Sequence, residues 1–374
     1  MKTIGIVGGG QLGKMLADSA HKLGFKVIVL DPTPESPAGQ VADEQIVGGF
    51  KDPEKIRELA SKSDVVTFEI ESADAETLFQ LQRDGKEIHP SPETLSIIKD
   101  KFAQKKFLSE RGISVADSLE VNSEDEARKA GESFGYPFLL KARFDAYDGR
   151  GNAFVKSELE INDAFHRLGA KNLYAEKRID FEKEISAVAS RGIKGEIKVF
   201  PIVETVHKNN ICHEVIAPAQ INEGVREKAD KMAAKVLEVL EGVGVFGIEM
   251  FVTKAGEVLV NEIAPRVHNS GHHTIEANKT SQFEQHIRAV TGMDLGDTHM
   301  VVPSAVMINI LGERNGKAIV AGSEILKELE NVFMHIYGKV ETKVLRKMGH
   351  ITALGNTPEE ALQKARKAKK HISI

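Results

Sequence analysis

From Thr3 to about His89 the chain alternates short apolar runs with amphipathic stretches, and this alternation constrains the fold more than any other feature. Strands joined through helices pair in parallel, because the helix carries the chain back to the edge it left. Thr3 to Val7, Lys26 to Leu30, Asp64 to Phe68 and Glu87 to Ile88 read as strands, with helices over Gln11 to Leu23, Asp52 to Ser61 and Ala73 to Arg83. In the first helix Leu12, Met15, Leu16 and Leu23 recur at helical spacing. The expected unit is a Rossmann-like, doubly wound parallel sheet. His89-Pro90-Ser91-Pro92 then punctuates the chain and opens a helix towards a second lobe.

At 374 residues the chain exceeds one compact core, so two or three packed lobes are expected. A second unit runs from Lys101 to Val206, with a helix near Glu124 to Phe134 and strands Phe138 to Lys141, Asn152 to Val155, Leu173 to Lys177 and Glu184 to Ser190. A third carries a helix, Val225 to Leu240, and strands Val245 to Val252 and Val258 to Ile263 joined by a turn. Ala305 to Ile374 holds short strands and a Lys-rich helix, Pro358 to Lys370. The expected domains are 1–100, 101–206, 207–300 and 301–374. A net charge of -5 lacks the basic footprint of a nucleic-acid binder, and one cysteine, Cys212, excludes an intramolecular disulfide and a Cys-rich zinc site. The start of the chain lacks the pattern of a signal peptide, and no apolar run approaches the roughly 18 residues of a membrane span. A cytoplasmic protein without membrane partners is expected.

Gly8-Gly9-Gly10-Gln11-Leu12-Gly13 follows the first strand and heads a helix, where amides and the helix dipole favour a phosphate. Asp31 ends the second strand, where a dinucleotide fold places a ribose-binding carboxylate. The alternative is that the glycines serve only to turn strand closely into helix. Glu69 and Glu71 close the third strand at the sheet's carboxyl edge, where open α/β sheets bind ligands.

Lys141 ends an apolar strand, and a charge drawn towards a core needs an anion, for which phosphate is a good candidate. Asp145 to Gly151 follows as a glycine-containing loop able to fold over phosphates with Arg150 inward, or to form an exposed hairpin. Glu176 to Ile179 ends a strand whose backbone suits an adenine edge, and Glu184 suits ribose hydroxyls, although Glu/Lys runs are usually solvated faces. Glu249 and Glu262 stand inside adjacent apolar strands, and a hairpin through Gly256 brings both carboxylates and the Asn261 amide together. Such an all-oxygen set suits Mg²⁺ held with nucleotide phosphates, the alternative being that each Glu pairs a Lys. Arg266 follows, placed to clamp a transferred phosphoryl group. His268, His272 and His273 lack the regular presentation of a zinc site.

Together these segments resemble the ATP-grasp superfamily and, within it, the N5-carboxyaminoimidazole ribonucleotide synthase family. The resemblance spans nearly the whole chain and rests on Gly8 to Leu16, Tyr147 to Gly151, Asn261 to His272, Pro303 to Asn309, Tyr337-Gly338-Lys339 and Arg346 to His350. It implies an ATP-grasp fold behind the Rossmann-like domain and a small C-terminal β-rich lobe, mixing α/β and α+β architecture. It also implies that ATP and bicarbonate, with Mg²⁺, carboxylate an aminoimidazole ribonucleotide through carboxyphosphate, in a homodimeric enzyme of purine synthesis.

By position, the resemblance assigns Lys101 and Lys141 to ATP phosphates, and Ala146, Tyr147, Asp148, Gly149, Arg150, Gly151 and Asn152 to a mobile loop over the nucleotide. Glu176, Lys177, Arg178 and Ile179 would hold adenine, Glu184 the ribose with His207 nearby, and Asn261 the nucleotide site. Glu249 and Glu262 would hold magnesium. Tyr147, Arg150, Arg266, His268 and Asn269 would act on bicarbonate and the ribonucleotide. Gly10, Gln11, Leu12, Glu69 and Glu71 would contact the ribonucleotide, with Lys339 and Arg346 on its 5′-phosphate. Asp145-Ala146 stands where the family usually has two glycines, which implies a stiffer loop. Two rival activities stay open: a formate-using glycinamide ribonucleotide formyltransferase of the same superfamily, lacking the Lys339 and Arg346 arrangement, and an NAD-dependent dehydrogenase.

Overall fold

The computed structural model describes residues 1–144, 151–208 and 210–374. Strands β1 (Thr3–Val7), β2 (Lys26–Asp31), β3 (Glu44–Val47), β4 (Val65–Phe68) and β5 (Glu87–Ile88) form one parallel sheet in the order β3-β2-β1-β4-β5. Helices α1 (Gln11–Lys22), α2 (Pro53–Lys62) and α3 (Ala75–Arg83) make the crossovers. The strand order reverses at β1, so the switch point that binds ligands in such sheets lies between β1 and β4. The sequence reading lacked β3, whose four residues carry one buried apolar side chain, Ile46.

Helices α4 (Pro92–Lys99) and α5 (Lys101–Glu110) lead to the second lobe, and the Ser91 hydroxyl and Asp100 carboxylate cap their first turns. That lobe is an antiparallel sheet, order β6-β9-β7-β8, built from β6 (Ser118–Val121), β7 (Phe138–Ala142), β8 (Asn152–Val155) and β9 (Leu173–Lys177). Helices α6 (Glu124–Phe134) and α7 (Ile161–Arg167) cover one face.

The remaining strands form a nine-stranded antiparallel sheet. They are β10 (Phe181–Arg191), β11 (Ile197–Val199), β12 (Val203–Lys208), β13 (Ile211–Ala217), β14 (Gly244–Thr253), β15 (Val258–Ala264), β16 (Ser304–Leu311), β18 (Val332–Ile336) and β20 (Lys347–Gly355). The short β17 (Gly316–Lys317) and β19 (Glu341–Thr342) pair apart from it. The sheets therefore divide near residue 180, not at 206, and β13 pairs β16, which joins the C-terminal strands to the same sheet. Short strands read singly do not disclose their partners, which is why the sequence boundary fell late.

Alternation along β14 decides what faces what. Phe246, Ile248 and Met250 enter a core with Val225, Ala229, Ala233, Val236 and Leu237 of α8 (Glu223–Leu240), while Gly247, Glu249 and Phe251 face a cleft. After the short α9 (Thr274–Ala277), α10 (Gln282–Thr291) packs Phe283, Ile287 and Val290 against Leu12, Met15 and Leu16 of α1, seating the parallel sheet beside this cleft. The buried His286 reinforces the seat: Val245 N–H donates to its Nδ1 at 3.0 Å, so Nε2–H donates to Thr67 Oγ1 at 2.7 Å. Helix α11 (Pro358–His371) covers β16 and β20.

Candidate active site

One cleft of about 730 Å³ lies where the three sheets meet. Gln11, Leu12, Glu69 and Glu71 reach it from the switch point of the parallel sheet, and Lys141, Asn152, Glu176, Arg178 and Ile179 from the small lobe. Glu184, His207, Glu249, Asn261, Glu262, Arg266, His268 and Asn269 line it from the large sheet, with Lys101 at the head of α5. Gly10, Lys177, Lys339 and Arg346 lie outside the lining, and Lys177 pairs outward with Asp117 at 3.4 Å. Ala146, Tyr147, Asp148, Gly149 and Arg150, with the Asp145-Ala146 departure, lie outside the described residues.

Glu249 and Glu262 are direct cross-strand partners. A bulge after Glu249 shifts the register so that Met250 pairs Val260, leaving Asn261 as the extra residue. Consecutive strand residues ordinarily face opposite sides, so the bulge is what lets Asn261 and Glu262 both line the cleft. Burial, then repulsion from Glu262, pushes the Glu249 carboxyl up to about 7. Two carboxylates brought side by side in a cleft fit a divalent cation completed by phosphate oxygens. Among the described residues no cluster of three or more His, Cys, Asp or Glu forms a ready-made metal cage.

Three cations of the cleft, Lys101, Lys141 and Arg266, are held by acids of the chain. Lys101 Nζ lies 2.6 Å from Glu262 Oε1, and Arg266 Nη2 lies 3.1 Å from Glu71 Oε1. Glu176, 3% exposed, sits between Lys141 at 3.1 Å and Lys105 at 2.8 Å. Burial alone would raise its carboxyl, yet the two ammonium groups hold it at about 2. Burial likewise opposes the charge of Lys141, and Glu176 outweighs it, keeping that ammonium protonated. The Glu176 side chain thus holds lysines. Glu184 Oε2 lies 2.9 Å from His207 Nδ1.

The glycine loop is occupied from within. Glu69, buried, accepts hydrogen bonds from the amides of Gly10 and Gly13, the latter at 2.7 Å, while Asp31 accepts from Gly9 at 2.9 Å. A Cβ on Gly8, whose φ is +108°, would stand 2.2 Å from Glu69 Cγ, so the motif serves the approach of a carboxylate. A pyrophosphate would find the Gly10 and Gly13 amides taken, which removes the physical basis of the dehydrogenase reading.

Sequence comparison agrees with this architecture. The family model for a ribonucleotide synthetase preATP-grasp domain matches residues 1–99, that for an ATP-grasp domain 106–283, and that for the phosphoribosylaminoimidazole carboxylase C-terminal domain 305–364. The N5-carboxyaminoimidazole ribonucleotide synthase of Bacillus subtilis is 42% identical over 360 residues, covering 96% of this chain and 93% of that protein. The chain belongs to the N5-carboxyaminoimidazole ribonucleotide synthase family. Within that family the crystal structure of the Thermotoga maritima synthetase is 49% identical with a TM-score of 0.91, covering 100% of this chain and 99% of the other. The Aspergillus clavatus synthase, solved in complex with ADP and 5-aminoimidazole ribonucleotide, is 37% identical with a TM-score of 0.90, covering 99% of this chain and 98% of the other. The phosphoribosylaminoimidazole carboxylase of Ogataea methanolica is 45% identical over 95% of this chain, which spans 67% of that protein and 65% of the one from Candida albicans.

Several residues that line the cleft, or that hold residues lining it, escaped the sequence reading. Lys105 stands one helical turn after Lys101 on α5, a spacing that puts both on one face, and it also donates to Asn261 O at 3.0 Å. Phe181 and Phe251 stack at 4.6 Å between ring centroids and, with Phe154, line the cleft. Lys347 lines the cleft, and its carbonyl accepts from Lys339 Nζ at 2.7 Å. Burial, then Arg346, lowers the Lys339 ammonium to about 8, while Glu69 acts to raise it.

Proposed function

We propose that this chain carboxylates the amine of 5-aminoimidazole ribonucleotide with bicarbonate and ATP, giving ADP, phosphate and the N5-carboxy product. The observation that carries the reading is the convergence on one cleft of the paired acids Glu249 and Glu262, the cations Lys101, Lys141 and Arg266, and the switch point of the parallel sheet. The naming of the family and the ligands of its Aspergillus clavatus member support the same substrates.

Glu249 and Glu262 would hold Mg²⁺, which when bound neutralises charge on the phosphate oxygens. A bicarbonate oxygen attacks the γ-phosphorus, the bond to ADP breaks, and carboxyphosphate forms while Lys141 and Arg266 offset the equatorial charge. For that step Lys141 and Arg266 exchange Glu176 and Glu71 for phosphoryl oxygens. Carboxyphosphate then releases phosphate as the exocyclic amine captures its carbon as a carbamate, and water must be kept out meanwhile. The Ser270 amide donates to His268 Nδ1 at 3.4 Å, placing the ring proton on Nε2, 3.4 Å from Glu249. Burial, then Arg266, lowers the imidazole to about 3, so it is neutral at pH 7 and offers a donor, leaving the departing phosphate to take the amine proton.

The test is phosphate release from Mg-ATP in bicarbonate buffer, with and without 5-aminoimidazole ribonucleotide, and with glycinamide ribonucleotide plus formate as control. Stimulation by the aminoimidazole, abolished in Glu262→Ala, is expected. Stimulation only by glycinamide ribonucleotide and formate would establish the formyltransferase instead.

A further inference from the structure

The loop that carries Arg266, His268 and Asn269 into the cleft is held by a residue that does not itself line the cleft. Gln282, at the first turn of α10, is fully buried and spends its whole amide on this loop. Its Oε1 accepts from the His268 backbone N–H at 2.9 Å, and its Nε2 donates to the His268 carbonyl at 2.7 Å. The second Nε2 hydrogen reaches His272 Nδ1 at 3.2 Å, and the Gln282 backbone N–H donates to Thr274 Oγ1 at 2.9 Å. The amide orientation follows from these contacts, because only the oxygen can receive the His268 N–H. The His268 ring is fixed at its other end by Ser270 Oγ, 2.9 Å from Nδ1, and Ser270 in turn meets Ser186 of β10 at 2.8 Å.

A backbone held at both its N–H and its C=O by one side chain cannot rotate its peptide planes independently, so the direction in which the side chain leaves is set. The room for this arrangement is built in, since a Cβ on Gly247 would stand 2.4 Å from His268 Cβ. We infer that Gln282 is a positioning residue for the reaction: its two-point clamp on residue 268 aims the His268 ring at Glu249 and the reacting groups. The inference rests on the function proposed above for the cleft but not on the identity of the substrates.

A matched comparison is available on the same helix. Gln285 is also fully buried and equally engaged, donating to Ser190 Oγ at 3.1 Å and Gly296 O at 3.3 Å and accepting from Gly296 N–H at 2.8 Å. None of its partners lines the cleft. Gln282→Leu and Gln285→Leu each remove a buried amide of the same kind. Both are expected to lower the melting temperature similarly. Only Gln282→Leu should lower kcat, by about 10- to 100-fold as misplacement of a reacting group near 1 Å does, with the KM for ATP unchanged. Histidine-labelled protein, with the His268 signal assigned through His268→Gln, supplies a readout that needs no substrate. The ring-nitrogen signals of His268 should lose the Nε2–H pattern or broaden in Gln282→Leu and stay in place in Gln285→Leu. Equal loss of kcat in both variants, or an unmoved His268 signal in Gln282→Leu, overturns the clamp. If wild-type protein shows no turnover with the aminoimidazole, the functional reading fails, and the His268 signal still decides the clamp.

Discussion

Replacing Glu176 by Gln keeps the shape of the cleft wall and removes the single negative charge between two buried ammonium groups. The side chains of Lys105 and Lys141 are 3% and 12% exposed, so water cannot take over from the carboxylate. Two independent estimates of the loss agree. Breaking a buried ion pair by deleting one partner costs about 3–5 kcal/mol. A carboxyl held at about 2 in place of its ordinary 4.5 corresponds to roughly 3 kcal/mol of folded-state stabilisation. Over a 374-residue cooperative unit this is a fall in Tm of roughly 4–6 °C. The sign with pH follows from the depressed value. The contribution is fully present above pH 4.5 and is lost as pH falls towards 2, so wild type and Glu176→Gln should converge in that window. Denaturant unfolding at pH 7.5 and pH 3 measures both quantities. A loss below about 1 kcal/mol at pH 7.5, or a difference that is as large at pH 3, would refute the picture of a dry, charge-paired triad. ADP should restore more Tm to the variant than to wild type, because its phosphates supply the missing anion to Lys141.

Further outcomes follow from the same geometry. Gly8→Ala combines a positive φ with a 2.2 Å approach to Glu69 Cγ and should cost roughly 2–4 kcal/mol by calorimetry, whereas an exposed helical site such as Lys22→Ala should change stability by less than about 0.5 kcal/mol. The KM for the ribonucleotide should rise as pH passes about 8, where Lys339 loses its proton, and a profile flat to pH 9.5 would remove Lys339 from phosphate binding. In Lys339→Ala that KM should be high and independent of pH over the same range. Titration with NADH should give no saturable change in its fluorescence, since Glu69 fills the amides a pyrophosphate would need.

Much of this was legible in one dimension because it depends on local periodicity. Period-3.6 patterns marked α1 to α3 and short apolar runs marked β1, β2 and β4, with the turn at His89 to Pro92, and the capping side chains stand where α2, α3 and α4 begin. Glu249 and Glu262 stood out because a carboxylate inside an apolar run demands a partner, and a short turn through Gly256 left only one pairing. Arg266 was singled out by its place directly after the paired acids, whereas the roles given to His268, Lys339 and Arg346 came from the resemblance alone, since no periodicity marks them.

What the chain itself does not disclose is which distant groups share a charge. The same Gly-x-Gly-x-x-Gly that signals phosphate in sequence closes on Glu69, 56 positions away from Gly13, and only the adjacency of β1 and β4 reveals it. Likewise the extra residue at Asn261 shows only once β14 and β15 are set in register, and Lys105 finds Glu176 only when α5 lies beneath the small lobe. Local sequence determined the elements and the kinds of chemistry available, because propensity and hydrophobic period act over a few residues. Tertiary structure decided which charges neutralise one another and which remain for a ligand, because electrostatics in a buried cleft depends on distances that connect residues far apart in the chain.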